Sequence, residues 1–395
     1  MISVSEALNH IFALATKLES ETVPLAQAAG RVLAHHVSAR LTQPPFSSSA
    51  MDGYAVVNAE AQAGMTLTVI GESAAGARFA GRVNNGEAVR IFTGAPVPEG
   101  ADCVLIQEDT IRDGNTISVL ENRDTNRYIR PAGGDFSEGD VISAPRKLTS
   151  SDIALLASMN IAEIPVTRKP VVALIANGNE LVMPGETPGP DQIVSSNNFG
   201  LKALLEEHGA EVRMLPIARD TVDSLQQAID LSAGVDLVVT IGGASVGDHD
   251  LVHKVAVDRG MALDFYKVAM QPGKPLMAGM MDGIPLVGLP GNPVSSMVCG
   301  HIFLRPMLDV MLGFASTPLS REIAVLTHDV PQNGGREHYM RAKVELTTGG
   351  AEITPFKRQD SSLLTILGQS NALLVRPPNG EPLNKGASVE FVRVS

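Results

Sequence analysis

The chain has 395 residues, 44% of them hydrophobic and 19% charged, which is enough apolar surface to offset the entropy of folding and excludes a disordered chain. That length exceeds what one core organises and predicts two to four domains, at roughly 100–200 residues each. With 31 Lys and Arg against 43 Asp and Glu, the net charge of −12 excludes a broad footprint for nucleic acid or an anionic membrane, so an anionic ligand must be met locally.

Ser3 and Glu6 have capping-box spacing, and Val4, Leu8, Ile11, Phe12 and Ala15 recur at helical intervals, so the chain opens with an amphipathic helix. A second helix is expected over about 24–39. Short runs such as Leu67-Thr68-Val69-Ile70, Ala88-Val89-Arg90-Ile91-Phe92 and Cys103-Val104-Leu105-Ile106, separated by Gly, Asn and Asp turns, predict a small β-rich domain over roughly 45–140. A helix over about 151–160 ends it and is expected to pack against the opening helices. Val171-Val172-Ala173-Leu174-Ile175 has no polar alternation, as in a strand covered on both faces. Helices over 198–208 and from Asp220 to Ala233, the latter opened by an Asp220/Asp223 box, alternate with strands over 211–217 and 236–241. This βαβαβ order implies a doubly wound parallel sheet, whose ligands sit at the carboxyl ends of the strands. A long helix over about 293–312 closes that domain, and the last 75 or so residues return to short strands.

Cys103 and Cys299 show neither CxxC nor Cys/His spacing, so they read as buried small side chains, without disulfide or zinc. The first residues lack a basic region followed by an apolar run, and no stretch of about 20 apolar residues occurs, so a cytoplasmic, soluble protein is expected.

Each polar cluster of the central domain falls where a strand should end: Ala176-Asn177-Gly178-Asn179-Glu180, then Arg219-Asp220, then Gly242-Gly243-Ala244-Ser245-Val246-Gly247-Asp248-His249-Asp250. Gly242, Gly243 and Gly247 can take positive φ and bring amides to an oxyanion, or form an ordinary loop; the spacing is neither the dinucleotide nor the Walker pattern. Glu180, Asp220, Asp248 and Asp250 are hard oxygen donors suited to Mg²⁺ or solvated loop acids, with solvent favoured for Asp248, and Asp220 equally suits a helix cap. Two stiff loops, Gln271-Pro272-Gly273-Lys274-Pro275 and Gly288-Leu289-Pro290-Gly291-Asn292-Pro293-Val294-Ser295, can present their backbone in a defined shape, with Lys274 as a point charge. In the first half, Gln43 to Ala55 carries Phe46, Met51, Asp52 and Tyr54 in a turn-rich segment, and Thr93, Arg130 and Asp135 sit on Gly/Pro loops.

Taken together these strings resemble the MoeA family, which includes the E domain of gephyrin. The segments that carry the resemblance are Pro44-Pro45-Phe46 through Asp52-Gly53-Tyr54-Ala55, Thr93-Gly94-Ala95-Pro96, Gly242 to Gly247, Pro272 to Pro275 and Gly288 to Ser295. The resemblance implies an α/β multidomain fold: a discontinuous helical domain (1–44 and 138–168), an inserted β-rich domain (45–137), a MogA-like doubly wound α/β domain with the active site (169–317) and a small C-terminal β-barrel (318–395). It implies a homodimeric molybdopterin transferase that inserts molybdate into adenylylated molybdopterin with Mg²⁺, releasing AMP and molybdenum cofactor. By matching position, Glu180, Asp220 and Asp250 would serve the nucleotide and Mg²⁺. The loop residues Gly242, Gly243, Ser245 and Gly247, with Lys267, Lys274, Pro290, Asn292, Pro293 and Ser295, and Arg341 and Ser361 of the last domain, would bind pterin phosphate and molybdate. Asp52, Thr93 and Asp135 would reach the site of the partner subunit. A MogA-like adenylyltransferase and molybdoenzyme apo-proteins would be its partners, without nucleic acid or membrane. Two departures stand out: Gln271 replaces an expected Lys or Arg, removing a positive charge from the oxyanion pocket, and Asn179 replaces an Asp. Two other readings keep the fold: a MogA-like adenylyltransferase acting through the third domain, and a non-catalytic cofactor-binding scaffold.

Overall fold

The structure is a computed structural model that describes residues 1–243 and 251–394. The chain forms two compact units, Met1–Glu21 with Thr167–Ser395, and Thr22–Val166.

In the first unit, the helix Val4–Leu14 begins with the expected box: Glu6 N–H donates to Ser3 Oγ (3.1 Å), and Ser3 N–H donates to the Glu6 carboxylate (2.7 Å). Its buried face, Val4, Ala7, Leu8, Ile11 and Leu14, belongs to the core of the α/β sheet. That sheet runs in the order Glu211–Met214, Val171–Ala176, Leu237–Ile241, Ile284–Leu289, Pro275–Met281 and Ala262–Lys267. The first four strands are mutually parallel, and the last two are antiparallel to their neighbours. The three strands of the expected βαβαβ order are parallel, and the two antiparallel strands beyond them make the whole sheet mixed. Ile284–Leu289 follows Pro275–Met281 through the turn at Asp282-Gly283, where both φ values are positive (51° and 78°). So tight a connection permits only antiparallel pairing.

Strand periodicity explains why these strands look uniformly apolar. Val172, Leu174, Leu237, Val239 and Leu289 enter one core with the helices Val4–Leu14 and Asn197–Glu207 and the helical run from Pro293. Ala173, Ile175, Val238 and Leu286 enter the opposite core with Val222–Asp230 and Leu251–Asp258. With both faces covered, no position is left for polar alternation. The closing helix is α-helical over Pro293–Cys299 and Arg305–Met311, with a π-helical turn at Gly300–Leu304 between them.

Arg168 ties the start of the sheet together. Its Nη1 and Nη2 donate to both oxygens of Asp236 (2.5 and 2.6 Å), its Nε donates to Glu19 (2.5 Å), and Asp236 also accepts the Val171 N–H (2.8 Å). Burial alone would raise the Asp236 pKa, but the Arg168 and Val171 donors more than offset it and hold the carboxyl below its usual range. A depressed carboxylate stabilises the fold above its unfolded-state pKa, and that contribution disappears as pH falls through the folded-state value. Arg168→Met leaves a largely buried carboxylate without its cation and should destabilise by about 2–3 kcal/mol at neutral pH in urea unfolding. The deficit should narrow as pH is lowered through the carboxylate range.

The C-terminal strands close into a barrel, as expected: Glu337–Thr347, Gly350–Pro355, Glu322–Leu326, Ser388–Arg393 and Ala372–Arg376 pair in that order, and the last pairs back to the first. Ala342, Val344, Ile353, Leu374 and Phe391 fill its interior.

The second unit carries the expected β-rich sheet, ordered Cys103–Ile106, Gly53–Val56, Glu87–Ile91, Thr66–Ser73, Thr116–Val119 and Thr110–Asp113. Tyr54, Val56, Ala88, Cys103 and Leu105 face one core, and Ala55, Val89, Ile91 and Val104 the other. Both cysteines are buried and free. The helix expected over 24–39 is absent. Leu25–Gln27 makes a single 3₁₀ turn, Gly30 has φ 77°, Val32–Leu33 pairs with Arg146–Lys147, and Val37–Ser38 pairs with Val141–Ile142. Partners far along the chain outweigh the local propensity of an Ala- and Leu-containing run. The helix Ser150–Ser158, boxed by Thr149 and Asp152, buries Leu156 against Val23, Leu33, Ile142 and Ile164. The opening helix, expected there, is instead part of the α/β unit's core.

Candidate functional site

The carboxyl ends of the parallel strands surround a cavity of 590 Å³. Its floor is made by residues that continue the strands: Asn177 N–H donates to Ile241 O (2.9 Å), Gly178 N–H to Ala218 O (3.1 Å) and Gly242 N–H to Leu289 O (3.1 Å). Asn177, Gly178 and Glu180 follow the first strand and Asp220 the second; Gly242 and Gly243 follow the third, and Pro290, Gly291, Asn292 and Pro293 the fourth, all lining this one space. The clustering of polar residues at strand ends is thus realised in three dimensions.

Asp220 is held from two sides. Oδ1 accepts Asn177 Nδ2 (2.8 Å) and Oδ2 accepts Asn179 N–H (3.1 Å), while Asp220 N–H donates to Asn179 Oδ1 (3.1 Å). Arg219 locks the same loop by donating to the carbonyls of Gly178, Asn179 and Leu181 (3.1–3.3 Å). The helix after it is capped by Thr221, whose Oγ1 accepts Ser224 N–H. The expected Asp220 cap is therefore corrected: the neighbouring hydroxyl takes that task and leaves the carboxylate to the cavity.

Gly242 and Gly243 have φ 89° and 70°; a Cβ at Gly242 would lie 2.7 Å from Asn177 O, and one at Gly243 2.3 Å from Val252 Cγ2. Only glycine fits this tight junction. Ser296 Oγ donates to Pro290 O (2.5 Å) and Asn197 Nδ2 donates to Gly291 O (2.7 Å), fixing the Pro-Gly-Asn-Pro loop from behind. Pro293 carries no N–H, and Val294 N–H is occupied by Ser361 O (3.0 Å).

Two exposed carboxylates, Glu180 and Asp220, share the cavity with Asn177, which is buried and whose Oδ1 has no hydrogen-bond partner among the described residues. This all-oxygen donor set fits Mg²⁺, which takes one or two carboxylates and completes its shell with water and substrate oxygens. Among the described residues no three His, Cys, Asp or Glu side chains are grouped as a metal cage. Ser245, Gly247, Asp248 and Asp250 lie outside the described residues.

The remaining expected residues are placed elsewhere. Lys267 lies half-buried with its Nζ 5.0 Å from the Tyr266 ring centre, Lys274 is exposed, and Ser295 is buried. Arg341 is also buried, its guanidinium donating to Gln359 Oε1 (3.1 Å) and Asp360 O (2.7 Å). None of these four, nor Ser361, lines the cavity; Ser362 does. Gln271, expected beside the oxyanion pocket, lines a different cavity in the barrel, where it accepts Arg336 Nη2 (3.4 Å). Sequence reasoning missed Ser195, Ser196 and Asn197 as cavity residues. The polar run Ser195-Ser196-Asn197-Asn198 at the start of a helix was the available signal.

In the second unit, Asp52 and Thr93 form a pair. Thr93 N–H and Oγ1 both donate to Asp52 Oδ1 (2.7 Å each), and these bonds hold the exposed carboxyl below its usual range. Asp135 is exposed in the same unit. Thr93→Val removes one of the two donors, so the Asp52 pKa should rise toward the ordinary carboxylate value. A carboxyl ¹³C NMR titration checks this.

Three family models match the chain: MoeA N-terminal region (domain I and II) over residues 2–160, probable molybdopterin binding domain over 173–310, and MoeA C-terminal region (domain IV) over 324–394. The chain is 34% identical to the molybdopterin molybdenumtransferase of Nostoc sp., across 98% of this chain and 93% of that protein. The chain belongs to the MoeA family. A second MoeA relative, the molybdopterin molybdenumtransferase of Haemophilus influenzae, is 34% identical across 94% of this chain and 93% of its own. The fold matches the crystal structure of a molybdopterin biosynthesis MoeA protein from Pyrococcus horikoshii OT3, with a TM-score of 0.83 and 28% identity over the whole of both chains. The described MoeA chain contains no helix long and apolar enough to cross a membrane.

Proposed function

We propose that the chain is a transferase of molybdenum cofactor biosynthesis that inserts molybdate into the dithiolene of adenylylated molybdopterin, with release of AMP. The observation that carries this reading is the cavity at the carboxyl ends of four parallel strands, where Glu180, Asp220, the unpartnered Asn177 oxygen and the Gly242-Gly243 backbone converge. Ligands of α/β sheets bind at that edge.

On this reading the chain's contribution is positioning and electrostatics. The glycine pair lets backbone approach the phosphates without a side chain between them. Asn177 and Asn179 aim the Asp220 carboxylate by donating to both its oxygens. The loop braced by Ser296 and Asn197 shapes the opposite wall without reorganising when substrate binds. Glu180, Asp220 and Asp250 would hold Mg²⁺, which when bound neutralises charge on the pyrophosphate. Water attacks a phosphoanhydride phosphorus, its oxygen joining that phosphorus as the P–O bond breaks and AMP leaves; molybdate exchanges two of its oxygens for the two dithiolene sulfurs, the oxygens departing as water with the thiol protons and protons from solvent. By matching position in the family, Lys267, Lys274, Ser295, Arg341 and Ser361 would serve the molybdate end, beyond the residues that line the strand-end cavity. The active species is a homodimer in which Asp52, Thr93 and Asp135 of one copy serve the other. A separate adenylyltransferase supplies the substrate, and apo-molybdoenzymes receive the product.

Purified protein incubated with adenylylated molybdopterin, Mg²⁺ and molybdate should convert an apo-molybdoenzyme to its active form, and removal of Mg²⁺ by a chelator should reduce the rate by at least about 10²-fold. ATP-dependent adenylylation of free molybdopterin in place of this reaction would favour the adenylyltransferase reading. A monomer by light scattering would remove the cross-subunit role of Asp52.

A further inference from the structure

A second cavity, of 870 Å³, opens in the C-terminal barrel and shares no lining residue with the first. It is large enough for a small organic ligand. Its wall is mostly apolar, with Val330, Met340 and Phe356 among its residues, and the charged groups in it are unbalanced: Arg376 and Lys357 are opposed by Asp329 alone. Asp329 is already engaged, accepting the Lys385 N–H (2.7 Å).

Arg376 is the unusual group. It is 1% exposed, on an interior strand end opposite His338. Its Nη1 donates to Pro331 O (3.3 Å), and its Nη2 to Gly380 O (3.2 Å) and Glu381 O (2.5 Å). All these partners are neutral carbonyls, and Nε is buried with no partner among the described residues. Burial pushes the guanidinium pKa down without an acid to oppose the shift. A buried cation without a counter-charge costs stability that an anion would recover. Gln271, at the rim, spends its Oε1 on Arg336.

We infer that this barrel cavity binds a small organic anion, a carboxylate or a phosphate monoester carried on an apolar body, with Lys357 meeting the charge, the buried Arg376 adding an uncompensated positive field from behind the wall, and Met340 and Phe356 meeting the body. No residue of this cavity lines the strand-end cavity, and its occupancy is measured without turnover, so it does not depend on the transferase reading.

Calorimetric titration of the full chain with 2-naphthoate, 2-naphthyl phosphate and the neutral 2-naphthamide tests this. Saturable binding of at least one anion, about tenfold or more tighter than the amide, is expected. The tighter anion identifies whether carboxylate or phosphate is the natural headgroup. Met340→Trp fills the space and should abolish binding. Lys357→Glu, an exposed substitution that leaves the barrel intact, should weaken the anion about tenfold and leave the amide unchanged. Amide binding as tight as both anions, no saturable binding, or anion binding of wild-type strength in Lys357→Glu would overturn the inference.

Discussion

Asp220→Asn lowers the rate of AMP release from adenylylated molybdopterin by about 10²- to 10³-fold and leaves thermal stability nearly unchanged. Both Asp220 oxygens accept hydrogen bonds, from Asn177 Nδ2 (2.8 Å) and from Asn179 N–H (3.1 Å). An asparagine here can keep its own oxygen toward Asn179 and present its amide to Asn177. The side chain of Asn177 answers by rotating its amide, because its Oδ1 is otherwise without a partner among the described residues. The hydrogen bonds survive while the charge is lost, so the rate effect isolates the carboxylate. An unchanged melting temperature together with an unchanged rate would remove Asp220 from the site. A rate loss accompanied by a large drop in melting temperature would point to a scaffold role instead.

The second large effect is at Gly242→Ala. Positive φ costs an alanine about 1 kcal/mol, and the added Cβ would stand 2.7 Å from Asn177 O, a backbone atom that cannot rotate away. Asn177 N–H and Gly242 N–H both bond to neighbouring strands, at Ile241 O and Leu289 O, so the clash is passed into the sheet. A loss of about 2–4 kcal/mol in the unfolding of the α/β unit is expected, with activity reduced at least about tenfold. Gly242→Asn separates the two causes. Asparagine tolerates positive φ, so recovery of stability would mean that φ is the whole cost, whereas the clash predicts no recovery. Gly291→Ala is the control: its Cβ would meet only Gly242 Cα at 3.5 Å, an ordinary contact, and it should fold normally.

What could be read from the residues alone follows a physical division. Val171–Ala176 and Leu237–Ile241 were legible because burial on both faces leaves a continuous apolar run, and the Gly242-Gly243 and Pro290-Gly291-Asn292 loops were legible because unusual backbone needs glycine and proline. Features set by distant partners were not legible. Val32–Leu33 is a strand because Arg146–Lys147 pairs with it, which no local window contains. Asp220 and Thr221 are both good caps by type, and only the Asn177 and Asn179 contacts decide which one is spent on the helix. Arg341 and Gln271 enter the expected pocket only through the family resemblance, by matching position. The fold commits the Arg341 guanidinium to Gln359 and Asp360 and turns Gln271 to the barrel cavity, and neither outcome is encoded in their neighbours.

The most direct measurement is AMP release followed as a function of molybdate, with wild-type protein and Asp220→Asn side by side, using adenylylated molybdopterin and Mg²⁺. The account predicts saturable, molybdate-dependent release by the wild type and a rate about 10²-fold or more lower in the variant. Equal rates in the two proteins, or no AMP from the wild type, would contradict it.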